Sequence, residues 1–471
     1  MLRFAVALSQ VVCTFGALDS TLFLIRTSAY AEHEKALGVA LTSDLKADGV
    51  PGANIRLLHE AKTFAAYDRW CLLPWANHLY ESEADSKMDW FFFGDSNTKV
   101  VPRSLSAVLS RRDPAEPHFI GHRLQDQSHA IIHHYFMDKN FGFPHMPAGF
   151  VLSRGALAKL GDAIKSSGGL QYDTHIDVVH EFAKYLYDKT DPKIKMEHVE
   201  NFCSVEGETG NCATFAVSKD TARKDHQLQW SDIVVAIKTT AMFHQGDDKD
   251  RTSVIKATWG NDPPCDVIYV SDVVDSNIPT IDIGVNTKKG HCAKTQKILE
   301  WFQATRPEKK WFVIADDDTL FYLPRLKAVL NSYDSAEPLY VGERYGYGRL
   351  GVSEGGYDYV TMGGGVALSR EGLKRKLACR HCSCPSDDMY DDMMMGKWFQ
   401  SIEINAAHEE GFHQTTPENY HPTRLAQDKP LSFHKFVMDW DGKTESVSLE
   451  KTVEVYNKHL VSVHEKPRAE L

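Results

Sequence analysis

Two stretches decide the fold: Trp90-Phe-Phe-Phe-Gly-Asp-Ser-Asn-Thr98 and Trp311-Phe-Val-Ile-Ala-Asp-Asp-Asp-Thr319. Each begins on tryptophan, continues through an apolar run and ends on a polar cluster. Working outward, Phe119-Ile-Gly-His122 matches Tyr340-Val-Gly-Glu343 at the same offset of 221 residues. Ala148-Gly-Phe-Val-Leu-Ser-Arg154 matches Gly364-Gly-Val-Ala-Leu-Ser-Arg370 at an offset of 216. Three blocks in one order indicate an internal duplication. The chain of 471 residues therefore reads as two copies of one domain, joined near Asp220 to Trp230, where Lys219-Asp-Thr-Ala-Arg-Lys-Asp-His-Gln is polar.

In the second copy Ile233–Lys238, Asp266–Asp272 and Trp311–Ala315 read as strands, and Lys294–Ala304 as a helix between them. Strands alternating with helices predict an α/β sheet whose ligand site lies at the strands' carboxyl edge. Asp316-Asp317-Asp318 falls at that edge. Three carboxylates held together repel, and a divalent cation such as Mn²⁺ or Mg²⁺, bridging to a diphosphate, would relieve the repulsion. An acidic turn or helix start is the other reading of the triplet. The first copy has Asp95-Ser96-Asn97 at this register, as expected of one catalytic and one retired copy.

Further on, Asp391-Asp392 opens an apolar helical segment, where a carboxylate suits either a general base or a helix cap. Gly363-Gly-Gly365 permits close backbone approach to a ligand or a tight turn. Phe412-His413 and Ser432-Phe-His434 supply imidazoles.

Hydrophobic residues make up 42% and charged residues 25%, as in soluble globular proteins, and the net charge of −11 lacks the footprint of a nucleic-acid binder. Arg3 precedes an apolar segment from Phe4 to Ala17 that is too short to span a bilayer; it reads as a signal peptide over residues 1–18, with a buried first strand as the alternative. The closing Arg-Ala-Glu-Leu471 is a degenerate match to a retrieval signal, so the endoplasmic reticulum lumen is the expected compartment. Without Cys13, eight cysteines remain, an even count that predicts disulfides. Cys379-Arg-His-Cys382 alternatively offers thiolates and His381 to a metal.

The second copy, over residues 231–440, resembles the Fringe-like β-1,3-glycosyltransferases of the GT-A fold. The resemblance is carried by Val235-Ala-Ile-Lys-Thr-Thr-Ala-Met-Phe-His244, Arg251, Trp311 to Thr319, Gly342-Glu-Arg, Gly363-Gly-Gly365 with Leu368-Ser-Arg370, and Asp391-Asp392. It implies two tandem GT-A-like domains, a degenerate non-catalytic one over residues 19–225 and a catalytic one over 226–471. Within the family the chain is most similar to the branch that transfers glucose from UDP-glucose to the 3-hydroxyl of O-linked fucose on thrombospondin type 1 repeats, with inversion and with Mn²⁺.

By the same resemblance Asp392, or less readily Asp391, is the base. Lys238, Thr239, Arg251, Asp272, Asp316, Asp317, Gly364 and Gly365 are expected to bind the donor, and Asp318 the metal. The family's Phe-His-Ser-His block reads Phe412-His-Gln-Thr415 here, which leaves the imidazole ligand open between His413 and His434. N-acetylglucosaminyl transfer of the Fringe type, galactosyl transfer of the core-1 type, and a non-catalytic lectin or chaperone of secreted domains are the competing functions. The partners implied are a UDP-sugar and fucosylated secreted repeats, with neither nucleic acid nor a membrane span expected.

Overall fold

A computed structural model describes residues 16–28, 30–61, 70–83, 86–170, 174–244, 250–285, 290–348, 356–440 and 445–465. It contains two principal sheets with one topology. The second runs Ala406–His408, Tyr340–Gly342, Val366–Ser369, Trp311–Asp316, Ile233–Lys238, Asp266–Ser271 and Thr280–Asp282 from edge to edge. The first has the order Glu197–His198, Phe119–Gly121, Phe150–Ser153, Trp90–Asp95, Thr21–Arg26 and Ile55–Leu57, so among the described residues it matches six of the seven positions.

Strand directions match as well. Trp311–Asp316 is parallel to Ile233–Lys238 and antiparallel to Val366–Ser369, while Trp90–Asp95 is parallel to Thr21–Arg26 and antiparallel to Phe150–Ser153. The register is also shared, with Trp90 opposite Ser153 and Trp311 opposite Ser369. Ser153 donates to the Glu116 carbonyl and Ser369 to that of Glu337. The offsets of 221 and 216 are thus those of two paired strands.

The apolar runs are unbroken because both faces of each sheet are covered. Trp311, Val313 and Ala315 enter one core layer and Phe312 and Ile314 the other; Phe91 and Phe93 likewise part from Trp90 and Phe92. Helices start where expected: Ser153 and Ser369 cap the helices Arg154–Ser166 and Arg370–Ala378, accepting backbone bonds from Ala156 and Gly372.

The polar segment between the copies is tied down. Arg223 pairs with Glu409 at 2.6 Å, Asp220 with Arg325 at 2.8 Å, and Lys219 with Glu34 at 2.7 Å and also with Glu410. Beyond the linker, the first copy's Thr174–His175 adds an edge strand to the hairpin formed by Arg344–Tyr347 and Tyr357–Val360.

The cysteines and the first residues bear on two of the expectations. Disulfides join Cys203 to Cys212, Cys292 to Cys384 and Cys379 to Cys382, but Cys265 is a buried thiol, so the set is not fully paired. The bond between Cys379 and Cys382 also removes those thiolates from any metal site. Packing begins before residue 19, since Leu18 is buried in the first core and the Thr21 hydroxyl donates to the Ala17 carbonyl. The signal-peptide reading otherwise falls on residues 1–15, and the retrieval-like tail on 466–471, both outside the described residues. Among the described residues no helix is long and apolar enough to cross a membrane.

Candidate active site

The cleft at the carboxyl edge of the second sheet, about 170 Å³, is lined by Lys238, Thr239, Phe243, Arg251, Lys294, the three aspartates and His434. Strand Trp311–Asp316 delivers Asp316 at its last residue, and Asp317 and Asp318 form the following turn. The short strand Thr319–Phe321 then pairs antiparallel with Ser432–His434, setting Thr319 opposite His434. This pairing carries the imidazole to the acidic cluster.

His434 Nε2 lies 3.1 Å from Asp318 Oδ1 and 3.9 Å from Asp316 Oδ2. Its Nδ1 donates to the Gln414 carbonyl at 2.9 Å, which orients the ring with Nε2 toward the carboxylates. Ligand atoms of Asp316, Asp318 and His434 all fall within 4.8 Å of one another. Two hard oxygens and one imidazole suit a divalent cation of the Mn²⁺ or Mg²⁺ kind.

His413 takes no part. It is buried against Phe433 and Tyr420, with Nδ1 3.1 Å from the Gly411 carbonyl and Nε2 3.6 Å from Asp428. Of the two candidate imidazoles only His434 reaches the cluster, because only its strand pairs with the turn after the aspartates. Asp316, expected on the donor side, sits with the prospective metal group instead.

The aspartates are differentiated electrostatically. Burial pushes Asp317 up to about 7 despite the Arg251 guanidinium 2.7 Å away. Burial also opposes ionisation of Asp318, but His434 and Arg251 hold its carboxyl down to about 2. Arg251, whose guanidinium is 3.0 Å from Asp318 and stacks on Phe243 at 3.9 Å, thus supplies positive charge at the cluster. Its helix, Arg251–Ala257, is capped by Asp250, which accepts from the Ser253 backbone.

Lys238 joins the cluster to the neighbouring helix. Its ammonium is 2.9 Å from Asp316 and also bonds Asp391, whose carboxylate accepts a 2.6 Å bond from Thr295. Asp391 is therefore buried and engaged at the first turn of helix Asp391–Ser401. Asp392, the next residue, is only partly buried and accepts a single backbone bond, from Met393 at 2.7 Å. Burial and the adjacent Asp391 charge raise its carboxyl to about 7. A carboxylate with that affinity is matched to proton removal near neutral pH.

Among the other donor-side candidates, Thr239 lines the cleft, whereas Asp272 accepts bonds from the Ala241 backbone and Ser271 and fixes the segment beside it. Gly364 and Gly365 do not line it. A Cβ on Gly364 would lie 3.1 Å from the His413 carbonyl carbon, and one on Gly365, whose φ is +94°, 2.5 Å from the Phe321 ring. The neighbour Gly363 matters most, since a Cβ there would lie 2.3 Å from His434 Nδ1. Sequence reading missed Lys294, buried with its ammonium donating to the Thr239 carbonyl at 2.7 Å. Nothing in the spacing of a helix distinguishes it from a surface lysine.

The corresponding edge of the first copy has its acids engaged elsewhere. Arg26 stands in the register of Lys238 and forks onto Asp95 at 2.6 and 3.0 Å. Asn97 donates to the Val217 carbonyl at 2.9 Å. Asp177 caps helix Val178–Lys189 and pairs with Arg424 of the second copy at 2.8 Å. What space remains, about 110 Å³, is closed by second-copy residues including Glu410 and Arg424.

The fold and the site define a glycosyltransferase: the Fringe-like family model matches residues 40–181 and 228–465, and the chain belongs to that family. More particularly, the chain is similar to "Beta-1,3-glucosyltransferase" of Homo sapiens, 37% identical over 429 residues, spanning 89% of this chain and 82% of the human protein. The Mus musculus protein of the same name is 35% identical over 440 residues, spanning 92% of this chain and 85% of its own length. A Xenopus laevis "Glycoprotein-N-acetylgalactosamine 3-beta-galactosyltransferase 1" is 26% identical over 200 residues, 40% of this chain and 53% of that protein.

Proposed function

We propose that the chain is an inverting β-1,3-glucosyltransferase that moves glucose from UDP-glucose to the 3-hydroxyl of O-linked fucose on thrombospondin type 1 repeats. The observation that carries this reading is that one copy joins the Asp391–Asp392 helix start, through Lys238, to the Asp316, Asp318 and His434 cluster. Likeness to β-1,3-glucosyltransferases over nearly the whole chain, both copies included, favours glucose over the sugars of relatives matching less of it.

Asp392 takes the proton from the acceptor hydroxyl as its oxygen attacks the anomeric carbon, and inversion follows from one displacement without a carboxylate nucleophile. Asp391 and Lys238 hold the start of that helix against the acidic strand end. Arg251 and Lys294 bring positive charge to a cleft built for an anionic donor. Asp316, Asp318 and His434 would hold Mn²⁺, which when bound supplies the electrophile for the departing diphosphate. Residues 226–471 then carry catalysis, and residues 19–225 form a retired copy. Three disulfides support an oxidising compartment, in keeping with the endoplasmic reticulum lumen.

The test is transfer by the secreted chain with UDP-glucose, UDP-galactose and UDP-N-acetylglucosamine against a fucosylated repeat, with Mn²⁺ and with chelator. Glucose transfer that stops on chelation is expected. Preference for another donor would overturn the assignment of the sugar, and undiminished transfer in chelator that of the metal.

A further inference from the structure

The hairpin of Arg344–Tyr347 and Tyr357–Val360 has two faces with different neighbours. Period-two alternation sets Tyr345, Tyr347, Tyr357 and Tyr359 on one face, as cross-strand pairs Tyr345 with Tyr359 and Tyr347 with Tyr357. The rings form a row, with centroids 6.0 Å apart for Tyr345–Tyr359, 6.3 Å for Tyr357–Tyr359 and 5.7 Å for Tyr347–Tyr357. This face meets the helix that bears Asp392. A Cβ on Gly396 would come within 2.5 Å of the Tyr359 Cβ, and Lys397 lies 5.2 Å from the Tyr357 ring. The row emerges at Tyr347, which is 40% exposed.

The opposite face belongs to the first copy. Trp70 donates its indole N–H to Asp358 at 3.1 Å and lies under the Arg344 guanidinium at 4.1 Å. The first copy's strand Thr174–His175 pairs along the edge, with Thr174 opposite Tyr347. The hairpin is thus clamped between the catalytic helix and the retired copy.

We propose that Tyr347 is the acceptor platform, on which the apolar face of the fucose-bearing acceptor stacks next to the helix of Asp392, that the buried Tyr357 seats its ring against that helix, and that Trp70 is a positioning residue holding the hairpin from behind. The inference rests on the transferase reading above and adds the acceptor's place to it. Continuity with the helix of Asp392 argues for the acceptor as the occupant: the donor's charged partners, Arg251 and Lys294, line a separate cleft whose lining holds none of the four tyrosines. A rigid ring with a polar tip suits a sugar, which offers C–H bonds on one face and hydroxyls at its rim. The retired copy then acts on catalysis through a shared sheet while leaving donor chemistry to the second copy.

The experiment uses the full chain with a methyl fucoside as probe. Tyr347→Ala is expected to raise the acceptor KM about tenfold, with the UDP-glucose KM within twofold of wild type, and Tyr347→Phe to restore the acceptor KM. Trp70→Ala is expected to raise the same constant about fivefold at little cost in kcat, since the ring it removes touches the hairpin and no substrate. An unchanged acceptor KM in Tyr347→Ala, or equal rises for donor and acceptor, would overturn the platform. Saturation-transfer NMR of the fucoside with wild type and Tyr347→Ala separates this from the functional reading. A fucoside signal that is strong with wild type and absent with the variant supports the platform even if glucose is not the sugar transferred. Absence of the signal with wild type refutes it.

Discussion

Asp391 and Asp392 are adjacent carboxylates with opposite fates, and replacing each by asparagine tests the division of roles. Asp392→Asn keeps the volume and removes the proposed base, so turnover should fall by about 10² or more, about 2.7 kcal/mol of barrier at 1.36 kcal/mol per decade. UDP-glucose binding by calorimetry should persist, since Asp392 lies outside the set of residues lining the cleft. The pH profile adds a sharper reading. The base works as the carboxylate, so a group raised to about 7 is about half competent at pH 7, a tenth at pH 6 and nine-tenths at pH 8. Wild-type kcat/KM should therefore rise about tenfold from pH 6 to pH 8, while the Asn variant's residual rate stays flat. Asp391→Asn should remain active but lose roughly 1.5–3 kcal/mol of stability, the value of a charge-assisted bond to Lys238. Because the Asp391 charge helps to raise Asp392, that variant's acidic limb should move to lower pH. An inactive Asp391→Asn beside an active Asp392→Asn would refute the assignment, as would a flat wild-type profile.

Asp95→Ala, assayed per folded molecule on a fucoside, should leave kcat unaltered. Its thermal unfolding should show a loss of roughly 2–3 kcal/mol, less than for a fully buried pair because the Arg26 side chain remains 22% exposed. Replacing both Cys292 and Cys384 by serine opens a link across 92 residues, worth up to about 4–5 kcal/mol by loop entropy. That bond ties the Lys294 helix to the segment before Asp391, so calorimetry should show weaker UDP-glucose binding as well as a lower melting temperature. His413→Ala should cost stability through the cavity it leaves while retaining Mn²⁺-dependent turnover, whereas His434→Ala should lose that turnover.

The duplication was legible because each central strand is apolar on both faces and the strand beside it keeps the same partner, Ser153 or Ser369. The acidic triplet marked the site for a similar reason: it follows directly on a buried strand. The choice between His413 and His434 was not legible. Both follow phenylalanine in sequence, and the distinction depends on a pairing of Thr319 with His434 that no local pattern encodes. The roles of the three aspartates likewise depend on which cations arrive from distant segments, Lys238, Arg251 and His434. Gly363-Gly-Gly365 read as either a ligand-facing segment or a tight turn, and what lies against it is the protein's own His434 ring, His413 backbone and Phe321. The row of Tyr345, Tyr347, Tyr357 and Tyr359 was invisible because it takes both copies to hold their hairpin.

The central claim is one active and one retired copy in a single chain, and the most direct test is a calorimetric count of Mn²⁺ sites in the presence of UDP. One site per chain is predicted, abolished by Asp318→Ala and retained in Asp95→Ala. Two sites, or a single site that survives Asp318→Ala and disappears with Asp95→Ala, would contradict it.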